Sequence, residues 1–242
     1  MIGILADVLS VMIGGILGAR IGRRLPAGFA EKMNRVFGVC AVGMGVFSVI
    51  PMENMPAVVL ALTLGSLFGL LCRVGRRIDR GAVLLERSLR KKLLHAAPSS
   101  DEESDSSLLV TALVLFCASG TGIYGALEAG MTGSQTILLS KAVLDLFTAM
   151  IFACAAGIGI SAVALPQLLV FLLLFFSAKL ILPLTTPQMI RDFKACGGFI
   201  LIATGLRIAG VKEFPIADML PSLLLVMPFS SLWTKWIAPL LS

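Results

Sequence analysis

The reading of the fold turns on ILLSKAVLDLFTAMIFACAAGIGISAV (137–163), followed one residue later by LPQLLVFLLLFFSAKLIL (165–182). Buried strands are short apolar runs, whereas runs of this length are helical. A helix rises about 1.5 Å per residue, so about 20 apolar residues cross a hydrocarbon core of roughly 30 Å. Similar runs occupy 2–19, 36–50, 57–72, 108–127, 195–210 and 216–233. The expectation is an all-α, polytopic transmembrane bundle of about eight spans. Gly157 and Gly159 stand near the end of the longest run, which therefore reads either as one tilted helix or as a helix followed by an irregular segment.

Composition points the same way. Of the 242 residues, 57% are hydrophobic and 14% charged, and the mean hydropathy is +0.97. Soluble domains carry about a quarter charged residues, because a solvated surface needs them. The length accommodates the spans and one longer insertion, but no separate catalytic domain. The net charge of +6 is concentrated beside apolar runs. Arg20, Arg23, Arg24, Lys32 and Arg35 form one basic segment, and Arg73, Arg76, Arg77, Arg80, Arg87, Arg90, Lys91 and Lys92 form another. Such enrichment marks cytoplasmic loops and speaks against nucleic acid as a partner. Two spans then separate the basic loops, the turn at 51–56 is external, and eight spans leave both termini outside. The bias is weak in the second half, where Arg191 and Lys194 would lie outside and Arg207 and Lys212 inside. The first run lacks a basic start and ends at Arg20, so it reads as a retained span and not a cleaved signal.

Chemistry-bearing clusters are few. Cys40, Cys72, Cys117, Cys154 and Cys196 lie in or at the ends of apolar runs without a CxxC, and read as reduced residues at helix contacts. The single histidine, His95, sits in a polar linker. No metal site, no cofactor and no serine–histidine–acid set is expected, and the protein does not read as an enzyme.

The chain divides in order into four parts: a three-span unit (1–72), a basic amphipathic helix with an acidic Ser-rich cytoplasmic linker (73–107), a central pair of spans (108–163), and a second three-span unit (164–242). In 76–94, Ile78, Ala82, Leu85, Leu89 and Leu93 repeat at helical spacing between the basic residues. That stripe suits a helix lying on membrane lipid, or one packed on the inner loops of the bundle. The three-span units resemble one another. Met33, Arg35, Phe37 and Cys40 match Met189, Arg191, Phe193 and Cys196 at a constant offset, and with small gaps Pro26 matches Pro183 and Pro56 matches Pro215. Units starting five spans apart enter the membrane in opposite senses, as inverted repeats do in many transporters.

Ionisable residues inside spans are the sharpest candidates. Lys141 and Asp145 are four apart and share a helix face, with Ser140 and Thr148 nearby. A charge near the bilayer centre costs on the order of 3 kcal/mol unless it is paired or neutralised. Asp7 lies one turn or more inside the first span and reads either as a pathway carboxylate or as an interfacial group reached by water. The preceding stretch ASGTGIYG holds Ser119 and Thr121 among glycines, poor helix material that could unwind and expose carbonyls. Glu128 is expected in an outer loop, and Asp218 and Asn34 at helix ends. Gly14, Gly18 and Gly22, and likewise Gly65 and Gly69, recur every four residues and read as packing seams within or between subunits, which makes a homo-oligomer the expectation.

With those residues in view, the chain resembles the YqgA/YdfK family of bacterial inner-membrane proteins, a domain of unknown function. The resemblance rests on IGGILGARIGRRLP, LVLFCASGTGIYGALEAGMTG, LLSKAVLDLFTAM and GLRIAGVKEFPIADMLPSLLL, which together span nearly the whole chain. One departure is Asp7, where such proteins tend to carry Asn. The resemblance implies a bacterial inner membrane and names no substrate. The expected function is a small-solute or monovalent-ion transporter or channel, with Lys141, Asp145, Thr148, Ser119, Thr121 and Asp7 along its pathway. The alternative is a membrane scaffold or signalling protein acting through helix packing and the basic segment. A solvated cavity lined by Asp145 would favour the first, and a dry ion pair the second.

Overall fold

A computed structural model describes residues 1–21, 28–93 and 102–241. Gly22, Arg23, Arg24, Pro26, His95 and 98–101 lie outside them, as do the side chains of 88–93. Regular structure among the described residues is entirely helical. The helices are α1 (Ile2–Ile21), α2 (Phe29–Val49), α3 (Met55–Cys72), α4 (Val74–Leu93), α5 (Glu102–Cys117), α6 (Gly120–Thr132), α7 (Thr136–Ala156), α8 (Gly159–Ala162), α9 (Ala164–Ile181), α10 (Pro187–Ile208), α11 (Ile216–Met219), α12 (Ser222–Leu232) and α13 (Ala238–Leu241).

Among the described residues, five helical stretches are long and apolar enough to cross a membrane: Ile2–Ile21, Met55–Cys72, Leu108–Thr132, Thr136–Leu184 and Ile216–Ile237. The third runs through α5 and α6, and the fourth, 49 residues long, through α7, α8 and α9. The expected runs at 36–50 and 195–210 fall within α2 and α10, which begin earlier than expected and take in the polar residues Glu31, Lys32 and Arg35, or Arg191, Asp192 and Lys194.

The surface of these helices is the reverse of a soluble protein's. In α1 the buried face is Gly3, Ile4, Asp7, Val11, Gly14, Gly15 and Gly18, while Leu5, Leu9, Met12, Ile13 and Leu17 are exposed. In α3 the buried residues are Ala57, Val58, Ala61, Gly65 and Gly69, and Val59, Leu60, Leu64, Leu67, Phe68 and Leu71 face outward. Small residues turned in and large apolar ones turned out suit helices that pack closely within lipid. In water, exposed apolar faces of this extent would drive aggregation. The chain is a membrane protein.

Two compact units form, each from two segments of chain. The first comprises Met1–Asn34 and Arg76–Phe176, the second Arg35–Gly75 and Ser177–Ser242. In the first, α1 lies along α7: a Cβ on Gly14 would strike the Leu146 carbonyl, and one on Gly18 the Met150 carbonyl. A hydrophobic core joins Val11 of α1, Ala82 of α4, Leu109, Ala112, Leu113 and Phe116 of α5, and Ala149 and Ala153 of α7. The stripe of α4 therefore packs inward at Ala82 and Leu85, while Arg76, Arg77, Arg80 and Arg87 remain exposed. The long run ends at Gly157, whose φ of +71° is a left-handed conformation that glycine adopts without strain. It is thus a helix followed by the short α8. The acidic segment expected as a linker is helical from Glu102 onward. Acidic and serine-rich composition is what helix starts favour.

In the second unit, α2 and α10 meet at their glycines. A Cβ on Gly38 would lie 2.5 Å from the Gly205 carbonyl oxygen, and one on Gly45 would lie 2.7 Å from that of Gly198. Rising numbers on one helix meet falling numbers on the other, so the pair is antiparallel. α3 packs in the same manner, Gly65 on Ser222 and Gly69 on Asp218. Gly14, Gly18, Gly65 and Gly69 are therefore all filled from within the chain.

Candidate functional site

Three helices of the first unit bring polar groups together. Successive turns of α7 carry Lys141 and Asp145 to one face, α1 contributes Asp7, and α9 contributes Gln167. Their exposures are 2%, 8%, 0% and 0% respectively. Lys141 pairs with Asp145 and also lies 3.2 Å from Asp7 Oδ2. Gln167 Nε2 donates to Asp7 Oδ2 at 2.9 Å and reaches Asp145 Oδ2 at 3.4 Å. One ammonium thus serves two carboxylates, and one amide bridges them.

Apolar surroundings raise the stakes of that arrangement. The rings of Phe116 and Phe171 stand 5.9 and 5.5 Å from Lys141 Nζ, close enough for cation–π attraction. In a medium poor in water, an unmatched charge or an unmade hydrogen bond costs far more than at a surface. Two atoms of the cluster, Asp7 Oδ1 and Gln167 Oε1, are buried without a hydrogen-bond donor.

Other candidate residues fall around this core in different ways. Asp7, which the sequence left between pathway and interface, is wholly buried beside Lys141. The helix break lies at the edge of the ASGTGIYG stretch: α5 ends at Cys117, Ser119 caps α6 by accepting from the Gly122 amide at 3.0 Å, and Gly120–Thr132 is helical. The break falls beside Phe116, and Phe171 fills the space over Gly122. Ser119 thus closes a helix end, and Thr121 is buried on α6. Thr148 donates to the Leu144 carbonyl of its own helix at 2.8 Å and not to the cluster. Glu128, expected in an outer loop, is buried on α6, because the helix continues four residues beyond it.

Gln167 is a member that the spacing of charges did not disclose. Its signal was a lone amide in an otherwise apolar run. A second buried carboxylate, Asp192, was also missed, and it is satisfied differently. Its Oδ1 accepts from the Glu53 and Asn54 amides at 3.0 and 2.9 Å, and its Oδ2 from Asn54 Nδ2 at 2.9 Å and Ser230 Oγ at 2.6 Å. Asn54, at the start of α3, makes no side-chain cap of its own, and Asp192 supplies one from α10. Asp218 likewise accepts from the Gly75 amide at 2.9 Å, at the beginning of α4. Among the described residues no group of three or more His, Cys, Asp or Glu side chains could hold a metal ion.

Residues 2–231 match a family model described as a protein of unknown function, DUF554. An uncharacterised protein of Escherichia coli (strain K12), YqgA, is 46% identical over 237 residues, covering 98% of this chain and 99% of that one. An uncharacterised membrane protein of Bacillus subtilis (strain 168), YdfK, is 25% identical over 229 residues, 93% of each. No solved structure matches.

Proposed function

This chain belongs to the DUF554 family of proteins of unknown function, and we propose that it is a small-solute or monovalent-ion transporter or channel of the bacterial inner membrane, without catalytic chemistry. The observation that carries this is the buried set of three ionisable side chains on helices otherwise lined with small and apolar residues. Charges inside a span are costly and are kept mainly where they bind or relay something. Lys141, Asp145 and Asp7 form the polar centre of the pathway, and the break before Ser119 lies beside it.

The reading extends to about eight spans: the stretch through α7 and α9 crosses twice, and α2 and α10 cross in addition. The N-terminus is then outside. Inverted repeats fit this topology. Asp7 and Gln167, joined by a hydrogen bond, are 160 residues apart. The same separation relates Gly38 to Gly198 and Gly45 to Gly205 (198 − 38 and 205 − 45), the glycines of the antiparallel α2 and α10. Met33 and Met189 are 156 apart (189 − 33), so the contact register lies about one helical turn from the residue-matching one. No homo-oligomer is part of the proposal, since Gly14 and Gly18 already have neighbours within the chain.

One observation favours the scaffold alternative: the cluster is closely packed between phenylalanines, as a dry ion pair would be. A pair, however, needs neither a second carboxylate nor two acceptors without donors. Flux of ions and small solutes into liposomes holding the purified chain distinguishes the two. Transport that Asp145→Asn abolishes supports the pathway; transport indifferent to it removes the mechanism. If the protein is a scaffold, deleting 76–94 ends its activity while neutralising Lys141 and Asp145 together does not.

A further inference from the structure

We propose that Asp7 holds an exchangeable proton, and that this proton closes a two-bond ring between the Asp7 carboxyl and the Gln167 amide. One half of the ring is present: Gln167 Nε2–H donates to Asp7 Oδ2 at 2.9 Å. The two buried atoms without a donor, Asp7 Oδ1 and Gln167 Oε1, are the remaining oxygens of the same two groups. A carboxylate has only acceptors, so Oδ1 can do nothing for Oε1. A carboxylic acid and a primary amide, by contrast, present matching donor and acceptor edges. One proton on Oδ1 turns it into the donor that Oε1 lacks, and both deficits disappear together.

Charge also calls for one proton in the cluster. Two carboxylates and one ammonium leave the cluster with an excess negative charge between phenylalanine rings, and a single proton brings it to neutrality. Asp145 is the less suitable carrier, because its pair with Lys141 is the closer of the two. The charged and titratable groups facing Asp7 are Lys141 and Asp145 from α7; Cys117, at the end of α5, senses both electrostatically. Gln167, from α9, is neutral.

Release is a simple dissociation: the Oδ1–H bond breaks, its electron pair stays on oxygen, and the proton passes to water. Asp7 then competes with Asp145 for Lys141, and Oδ1 and Oε1 lose their bond. This step rests on the transporter reading and makes H⁺ the coupling ion; the protonation of Asp7 does not depend on it.

Infrared spectroscopy of the full chain in lipid vesicles tests the idea, comparing neutral with alkaline buffer. The expected result is a carbonyl band of a protonated carboxylic acid that is lost in Asp7→Asn, and lost as well in Asp145→Asn, where Lys141 alone balances Asp7. Gln167→Leu should keep the band and move it to higher wavenumber, since the carboxyl loses its amide partner. Asp7→Glu should retain a shifted band, which covers the event that the asparagine variant folds poorly. Absence of the band from the unmutated protein, or a band that neither Gln167→Leu nor Asp7→Glu moves, overturns the proposal. So does its disappearance when sodium is added at constant pH, which would make the neutralising cation Na⁺. Flux measured on the same vesicles separates the two readings: a band depending on Asp7 without any flux defeats the transporter role only, and flux without the band defeats the proton only.

Discussion

Asp7 and Asp192 are both fully buried aspartates, one in each compact unit, and their surroundings are opposite in kind. Asp192 receives four hydrogen bonds, two of them from backbone amides at the start of α3. Its charge is spread over neutral donors, of which only Asn54 Nδ2 reaches a further acceptor, Thr234 Oγ1 at 3.4 Å. Asp7 has one amide donor and half of a lysine, and one of its oxygens has no donor at all. Burial alone therefore does not identify a functional carboxylate. A saturated one fastens helices together; an undersatisfied one, sharing its cation, has a reason to change state.

That contrast can be broken or sharpened by substitution, with thermal unfolding in detergent as the measurement. Lys141→Met should have the largest effect, a loss on the order of 3–5 kcal/mol, because it leaves the buried Asp145 carboxylate without its cation. A much smaller loss would mean that Asp145 is not dependent on it. Asp192→Ala should follow at about 2–3 kcal/mol, since hydrogen bonds to a charged acceptor vanish and the amides of Glu53 and Asn54 lose their cap. Gly205→Leu should cost about 1–3 kcal/mol, as the side chain meets the backbone of α2, which cannot swing aside as a flexible group would. Asp7→Asn should be the mildest, within about 1 kcal/mol of the unmutated protein, because an amide keeps both a donor and an acceptor edge. If Asp7→Asn proved as damaging as Asp192→Ala, the two carboxylates would belong to one structural class.

Much of the fold could be read from apolar run length, which tracks helices well because lipid-exposed backbone must satisfy its own hydrogen bonds. Helix starts were less legible. The first turns of α2 and α10 are polar, and hydropathy says little about a helix that continues past the apolar core. The Lys141–Asp145 pair was visible because four residues make one helical turn, and Gly157 was visible as a breaker. Asp7 was recognised as ionisable, but its placement beside Lys141 depends on α1 lying along α7, a contact between segments more than a hundred residues apart. Gln167 carries no charge, so nothing local marked it out from a helix-end amide. Asp192 was hidden for another reason: its partners are mainly backbone amides, which every residue but proline possesses.

The Asp7–Gln167 hydrogen bond has one more consequence on the proposed register. If the two three-span units descend from one gene whose product paired with an inverted copy of itself, the residue at this position once faced its own twin. Two aspartates there would repel, and two glutamines could hold no exchangeable charge. Joining the copies in a single chain lets the facing positions diverge, one to an acid and the other to a neutral amide. The bond between Asp7 and Gln167 is then a broken symmetry, an asymmetry open to a fused chain and closed to a pair of identical ones.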